Sequence, residues 1–349
     1  MPMPIIPRPE AELIDFQKSA LVIDIHVHQK DFLSPVAKRI ARLVMRDALP
    51  EFMPLSKARE GYVDGCVVAM IGDFLLVFPP TTEKRQKLAR KQFLLIKKEV
   101  EAGGGVMVDH SADLLRAYEN QTPFFVPAVE GADLLAGGLG FLEELRVWGT
   151  RVMSLVHFHK NAFGTVNATA LQYWGNGKKA KMPRGLTSAG ESLVRELNRL
   201  GIIVDLAHAD RETIRDVTAL SRHPVIVSHS GARQLYDFHR YLTDEEIRMI
   251  AGTGGVIGLW PMYYRNKGMK TPKEFSDHAR YIVDIAGEDH LAVGTDTMGV
   301  PGFMEGYRGL QDSPVITAAL FEAGLTENQV RKALGENFLR VLKAAETPG

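Results

Sequence analysis

Two histidines one residue apart, His26 and His28, close the short aliphatic run Leu21-Val-Ile-Asp-Ile-His-Val-His28. A run of this length and β-branching reads as a buried strand. Residues two apart on a strand face the same side, so both imidazoles aim at one point. Burying two imidazoles without partners is costly, and a metal ion is one partner that suits both. A lone His-x-His is as readily a satisfied core pair, so the question is whether other strand ends match it.

They do. Short apolar runs recur at Gly65 to Gly72, Phe124 to Glu130, Val152 to His157, Ile202 to Leu206, Val225 to Ser228, Gly255 to Trp260 and Leu291 to Gly294. Counting the first run as strand one, strands one, three, four, five, six and eight end in, or lead directly to, His, Glu or Asp: His26 and His28, Glu130, His157, His208, His229 and Asp296. Between the strands lie helical stretches at about Pro35 to Asp47, Thr81 to Glu101, Leu139 to Trp148, Arg211 to Leu220 and Thr271 to Ala286. Capping boxes are expected at Ser188…Glu191 and Thr243…Glu246, and a final helix opens at Thr326-Glu-Asn-Gln329 and runs to about Ala345. Pro272 suits a first helical position.

Eight strands alternating with helices fit a (β/α)8 TIM-type barrel, expected as one domain over 1–349 with a Pro-rich lead (1–20) and a C-terminal helix (326–345) packed on it. Doubly wound sheets share the alternation. A barrel, however, brings the C-terminal ends of all its strands to one rim, whereas an open sheet spreads them along an edge. The strand-end residues therefore favour the barrel and a shared site together. Imidazole and carboxylate ligands without thiolate suit Zn2+, and also Mn, Fe or Ni. Three or four ligands satisfy one zinc ion, so the surplus argues for two ions, with a carboxylate such as Glu130 able to bridge them around a hydroxide nucleophile.

The chain has 349 residues, 45% hydrophobic and 24% charged, and its 42 basic and 42 acidic residues cancel. No global field draws it to nucleic acid or an anionic membrane. Cys66 is the only cysteine, which excludes an intrachain disulfide and a multi-cysteine zinc site and suits a reducing, cytoplasmic setting. No spanning-length apolar run or secretory signal core is seen. Gly103-Gly104-Gly105 lacks the context of a phosphate loop and reads as a turn. The long Phe158 to Gly185 loop, with Tyr173 and Trp174, reads as a lid or binding loop. Its Lys178 to Lys181 cluster reads as solvated. His110, His159, His223, His239, His278 and His290 have no strand-end logic and are read as solvated or structural, with His159 and His239 flanking the site.

Asp24-Ile-His26, Ala128-Val-Glu-Gly131, Met153-Ser-Leu-Val-His157, Gly185-Leu-Thr with Glu196-Leu-Asn-Arg-Leu-Gly201, Asp205-Leu-Ala-His208, Val227-Ser-His-Ser230, Gly294-Thr-Asp296 and Gly335-Glu-Asn-Phe-Leu-Arg-Val341 cover nearly the whole chain in order. In these segments the chain resembles the membrane (renal) dipeptidase family of zinc peptidases, within the amidohydrolase-type barrels. The resemblance implies that His26 and residue 28 bind one metal, that Glu130 bridges and that His208 and His229 bind the other. It further implies that His157 stabilises the oxyanion, that Arg240 holds the substrate's terminal carboxylate, and that Asp296 carries the proton from attacking water to leaving amine.

This chain departs from the family at three places. His28 stands where the family usually has Asp, exchanging an anionic ligand for a neutral one. The second strand lacks the family's aromatic, Gln-containing pattern, and Trp260 replaces an Asn after strand seven.

The expected activity is binuclear, metal-dependent hydrolysis of the amide bond of dipeptides or dipeptide-like small molecules. The alternatives are N-acyl amino acids, lactams or other small amides as substrates, and a barrel that binds without catalysing. The expected partners are a small-molecule substrate and no nucleic acid or membrane, with a homo-oligomer left open.

Overall fold

The computed structural model describes residues 10–29, 53–73, 81–169 and 185–347. Eight parallel strands, β1 Ile23–His28, β2 Gly65–Ile71, β3 Phe124–Glu130, β4 Val152–Ser154, β5 Ile203–Asp205, β6 Ile226–Ser230, β7 Val256–Leu259 and β8 Leu291–Val293, pair in chain order. The ring closes just beyond β8, where the Asp296 N–H donates to the His26 carbonyl (2.8 Å) and the His28 N–H to the Thr297 carbonyl (2.9 Å). This closed parallel arrangement is the (β/α)8 barrel.

Eleven α-helices lie among the described residues: α1 Glu10–Ser19, α2 Thr82–Ala102, α3 Ser111–Glu119, α4 Phe141–Val147, α5 Ser188–Leu200, α6 Arg211–Leu220, α7 Asp244–Gly252, α8 Pro272–Ala286, α9 Ser313–Glu322, α10 Glu327–Arg331 and α11 Asn337–Glu346. Capping boxes start α7, α8 and α10 at Thr243, Thr271 and Thr326, with Pro272 in the first turn of α8. Helix α5 differs from expectation: its cap is Thr187, whose side chain accepts from the Gly190 N–H, so Ser188 already lies inside the helix. The expected last helix is divided by a π-helical turn over Lys332–Glu336. Part of the Pro-rich lead forms α1, and α3 and α9 were not expected. The helix expected at Pro35 to Asp47, Tyr173, Trp174 and the Lys178 to Lys181 cluster lie outside the described residues.

Strand alternation builds the interior. On β3, Phe124, Val126 and Ala128 point into the barrel, while Phe125 and Val129 pack outward. They meet Ile23, Ile25, Val67, Ala69, Val152, Ile203, Ile226, Val256 and Ala292 in one apolar plug. Helix α11 stops the end at which the strands begin, adding Phe338, Val341, Leu342 and Ala345 to that plug. Its anchors are polar: the Asn337 amide donates to the carbonyl of Leu291 and the Arg340 guanidinium to that of Gly254, each 2.8 Å or less.

Two strands break the alternation, and the site depends on it. Against β2, β1 advances from Asp24↔Cys66 to Val27↔Val68, three steps for two. This is a β-bulge, which shifts side-chain phase. Below it Ile23 and Ile25 face the interior; above it Val27 packs outward and His26 and His28 face inward. Strand β6 does the same between Val227↔Ile257 and Ser230↔Leu259, bringing Ser228 and His229 to the same region.

Candidate metal centre and active site

Glu130 lies at the centre of the upper barrel, in phase with the apolar positions below it. Its Oε1 is 3.1 Å from His208 Nε2, 3.6 Å from His26 Nε2 and 3.8 Å from His229 Nε2. Its Oε2 is 3.4 Å from both His28 Nε2 and His157 Nε2. Asp296 Oδ1 closes the group at 3.2 Å from His28 Nε2 and 3.8 Å from His26 Nε2. All seven residues are buried. The seven strand-end residues expected from the sequence thus meet in one cluster, five histidines around the Glu130 carboxylate and Asp296 beside two of them.

Strand ends alone do not achieve this convergence. His208 and Asp296 both adopt left-handed backbone (φ 68° and 56°), a conformation unusual for residues with a Cβ. Such strain persists where surrounding structure imposes it, and it clusters at functional sites. Beside Asp296, Gly299 has no room for a side chain: a Cβ there would lie 1.8 Å from Asp296 Oδ1.

The donor set fits metal ions. His26 Nε2 is buried and has no hydrogen-bond partner among the described residues, although a buried ring nitrogen normally has one. His28 Nδ1 lies 3.2 Å from the Ala69 carbonyl; since a carbonyl only accepts, Nδ1 carries a proton and Nε2 is the ring atom turned to the site. His26 and His28 with Glu130, and His157 and His208 with Glu130, bring possible ligand atoms within 4.8 Å of one another.

Electrostatics follow from burial and mutual charge. Burial, aided by the Arg240 charge, holds the His208 pKa well below its ordinary value. Burial together with the charges of His26 and Arg240 does the same to His229. Burial also lowers the His26 pKa. Neutral imidazoles are the form that ligates. Burial opposes ionisation of Glu130, yet the surrounding histidines outweigh it and hold its pKa well below the carboxylate range. For His28, hydrogen bonds to Asp296 and Glu130 overcome burial and carry the pKa up to about 10.

His157 is held from behind by a residue that the sequence pattern missed. Its Nδ1 is 2.6 Å from Asp73 Oδ1, and the backbone N–H of Phe158 donates to Asp73 Oδ2. Asp73 follows β2 by two residues, so that strand too leads to an acid. The sequence signal is Ile71-Gly72-Asp73, in which the acid stands one residue past the apolar run that ends at Gly72. Asp73 Oδ2 is also 3.4 Å from His159 Nδ1, whose Nε2 is 2.8 Å from Asp133 Oδ1. His159 thus bonds Asp133 and lies beside Asp73 at the rim, the three bringing possible ligand atoms within 4.8 Å of one another. His278 is buried, its Nδ1 accepting from the Ala232 N–H.

Arg240 is 2% exposed, so it is not an ordinary surface arginine. Its guanidinium carbon lies 5.3 Å from the centroid of the Trp260 ring, and that ring is 5.2 Å from His229. Trp260, one of the departures from the family pattern, therefore neighbours both His229 and the arginine.

A parallel eight-stranded barrel carrying a buried His and carboxylate cluster at the C-terminal ends of its strands defines a class, the metal-dependent (β/α)8 hydrolases. The family model described as membrane dipeptidase (peptidase family M19) matches residues 13–348. The chain belongs to that family and is a metal-dependent dipeptidase. Solved structures agree in fold. A family member named dipeptidase AC is 24% identical over 93% of this chain and 98% of its own, with a TM-score of 0.77. A probable dipeptidase, PvdM, from Pseudomonas aeruginosa is 18% identical over 97% and 99%, at 0.80. A metallopeptidase from Rhodobacter sphaeroides, liganded with a phosphinate mimic of the dipeptide L-Ala-D-Ala, is 23% identical over 93% and 99%, at 0.74. No helix among the described residues is long and apolar enough to cross a membrane.

Proposed function

We propose that this enzyme holds two divalent ions, zinc by preference, and cleaves dipeptides or dipeptide-like small amides that carry a free carboxylate. One observation carries the reading: five imidazole Nε2 atoms surround the two oxygens of one buried carboxylate. That is more donor capacity than a single tetrahedral ion uses. In this reading His26 and His28 hold one ion, His208 and His229 the other, and Glu130 spans both. Bound ions would acidify a water and polarise the scissile carbonyl.

The remaining roles fall to side chains. His157, backed by Asp73, is aimed by its Nε2 at the place where the carbonyl oxygen gains charge. Asp296 is the proton carrier, taking a proton from the attacking water and passing it to the leaving amine. Arg240 offers a planar, permanently charged fork to the substrate's carboxylate. The Rhodobacter enzyme's complex with a dipeptide mimic supports this substrate class. Trp260 beside Arg240 supports small amides with a different acyl part as the second reading. The single, buried Cys66 supports a reducing, cytoplasmic setting.

Metal analysis of protein purified without added metal should give close to two ions per chain, with activity lost on chelation and restored by zinc. One ion per chain overturns the binuclear reading. A screen of dipeptides of both C-terminal configurations beside N-acyl amino acids tests the substrate: a best substrate without a free carboxylate rules out the role of Arg240.

A further inference from the structure

Beneath the histidine cluster lies a second polar group, formed by Ser154, Asp205 and Ser228, all buried. Asp205 Oδ1 accepts the backbone N–H groups of Ala207 and Ser228, both at 2.9 Å. Its Oδ2 accepts the hydroxyls of Ser154 (2.8 Å) and Ser228 (2.7 Å). The two carboxylate oxygens thus take four bonds, and the Ser228 proton is committed to Asp205.

Ser228 Oγ has two further neighbours, His26 Nδ1 at 3.1 Å and His229 Nδ1 at 2.9 Å. A hydroxyl has one proton to donate and two lone pairs with which to accept. With the proton on Asp205, both lone pairs face imidazole nitrogens, and both bonds form only if His26 and His229 each carry their proton on Nδ1. Both Nε2 atoms then turn bare lone pairs to the site. The Ser228 backbone is itself closely packed. Gly258 on β7 and Gly294 after β8 each pass so close to the Ser228 carbonyl oxygen that a Cβ would lie 1.9 Å and 1.7 Å from it.

We infer that Ser228, held by Asp205, is a shared positioning residue that sets the tautomer of one ligand to each of the two ions. The inference rests on the two-ion reading only for the assignment of His26 and His229 to different ions; the tautomers stand apart from it. A metal-ligating histidine normally has its own outer partner, whose loss costs 10–100-fold in metal affinity or activity. Here one oxygen serves two, so its removal should weaken both ions together.

The test uses full-length protein stripped of metal, with selectively 15N-labelled histidine. Long-range 1H–15N spectra, assigned through His26→Gln and His229→Gln, should show Nδ1–H tautomers at both positions in the wild type. An Nε2–H form at either position overturns the inference. Ser228→Ala should mix the tautomers at both positions and weaken zinc binding in both steps, measured by competition with a chromophoric chelator, by about 10–100-fold each. Ser154→Ala removes the other hydroxyl from the same carboxylate oxygen and touches neither histidine. It should leave both affinities within about twofold. A loss confined to one ion, or an equal loss in Ser154→Ala, refutes the sharing. One ion per wild-type chain would instead refute the two-ion reading, while the tautomers would still decide the role of Ser228.

Discussion

The two ends of the barrel are built from the same strands and obey opposite rules. At the end where the strands begin, Ile23, Ile25, Phe124, Val126, Ile226 and Val256 alternate regularly into an apolar plug that α11 seals with Phe338 and Leu342. At the other end, two of the same strands carry bulges, His208 and Asp296 are among the non-glycine residues that adopt left-handed backbone, and buried charge collects around Glu130. Regular phase gives burial at low cost, since each apolar side chain removed from water contributes about 1.5–3 kcal/mol. The broken phase is tolerated because the plug below supplies that stability, while the bulges bring histidines inward that strict alternation would point away.

If this division holds, damage at one end should leave the other intact. Glu130→Gln should cause the largest loss, turnover falling by more than about a thousandfold, since losing even the outer partner of a metal ligand costs 10–100-fold. Without metal it should still unfold cooperatively, with a somewhat lower melting transition, because the surrounding histidines stabilise the carboxylate that is lost. A collapse of the fold would show that the upper cluster also carries stability.

Phe338→Ala probes the lower end. It should cost about 3–5 kcal/mol in denaturant unfolding, with turnover per folded molecule and metal content unchanged at low temperature. A matching loss of metal would break the comparison. Arg240→Ala belongs to the upper rim: it should lower kcat/KM by about 10–100-fold for substrates with a free carboxylate, as for a lost charge-assisted bond of about 1.5–3 kcal/mol. Amides without the carboxylate should be hydrolysed as before, and equal losses on both would assign Arg240 to structure.

The smallest effect is one of pH. Burial pushes the His278 pKa down to about 4, from an ordinary value near 6.5. A folded-state pKa below the unfolded one means the unfolded chain binds the proton first. Stability is therefore fully present above about pH 6.5 and is lost as pH falls toward 4. Between pH 7.5 and 5.5 the loss should be about 1 kcal/mol. His278→Asn, whose side-chain oxygen can still accept from Ala232, should show a correspondingly flatter pH dependence of unfolding. An unchanged slope would remove His278 as its source.

Much of the upper end was legible in the chain. His26, His28, Glu130, His157, His208, His229 and Asp296 follow apolar runs, and a barrel rim brings such ends together. Asp73 was not legible, because its strand departs from the family pattern and Gly72 intervenes before the acid. Arg240 was placed only by resemblance; a buried arginine and a surface arginine look alike in a loop sequence. The cap of α5 was misplaced by one residue because Thr187 and Ser188 are chemically equivalent there, and only backbone geometry chooses between them. The break in the last helix carries no proline, but Gly335 lies inside it, packed so closely on Leu21 that a Cβ would meet that residue's carbonyl oxygen at 2.4 Å.

For His26 and His28, sequence and tertiary structure divide the work cleanly. The amino-acid order by itself determined that the two imidazoles share a face and that the strand is buried, since alternation and apolar content are local properties. Which face they share was decided by the pairing of β1 with β2, where an extra residue inserts against Cys66 and Val68. Strand phase is relative, set by the neighbour to which the hydrogen bonds are made, so only the closed barrel turns these histidines toward Glu130.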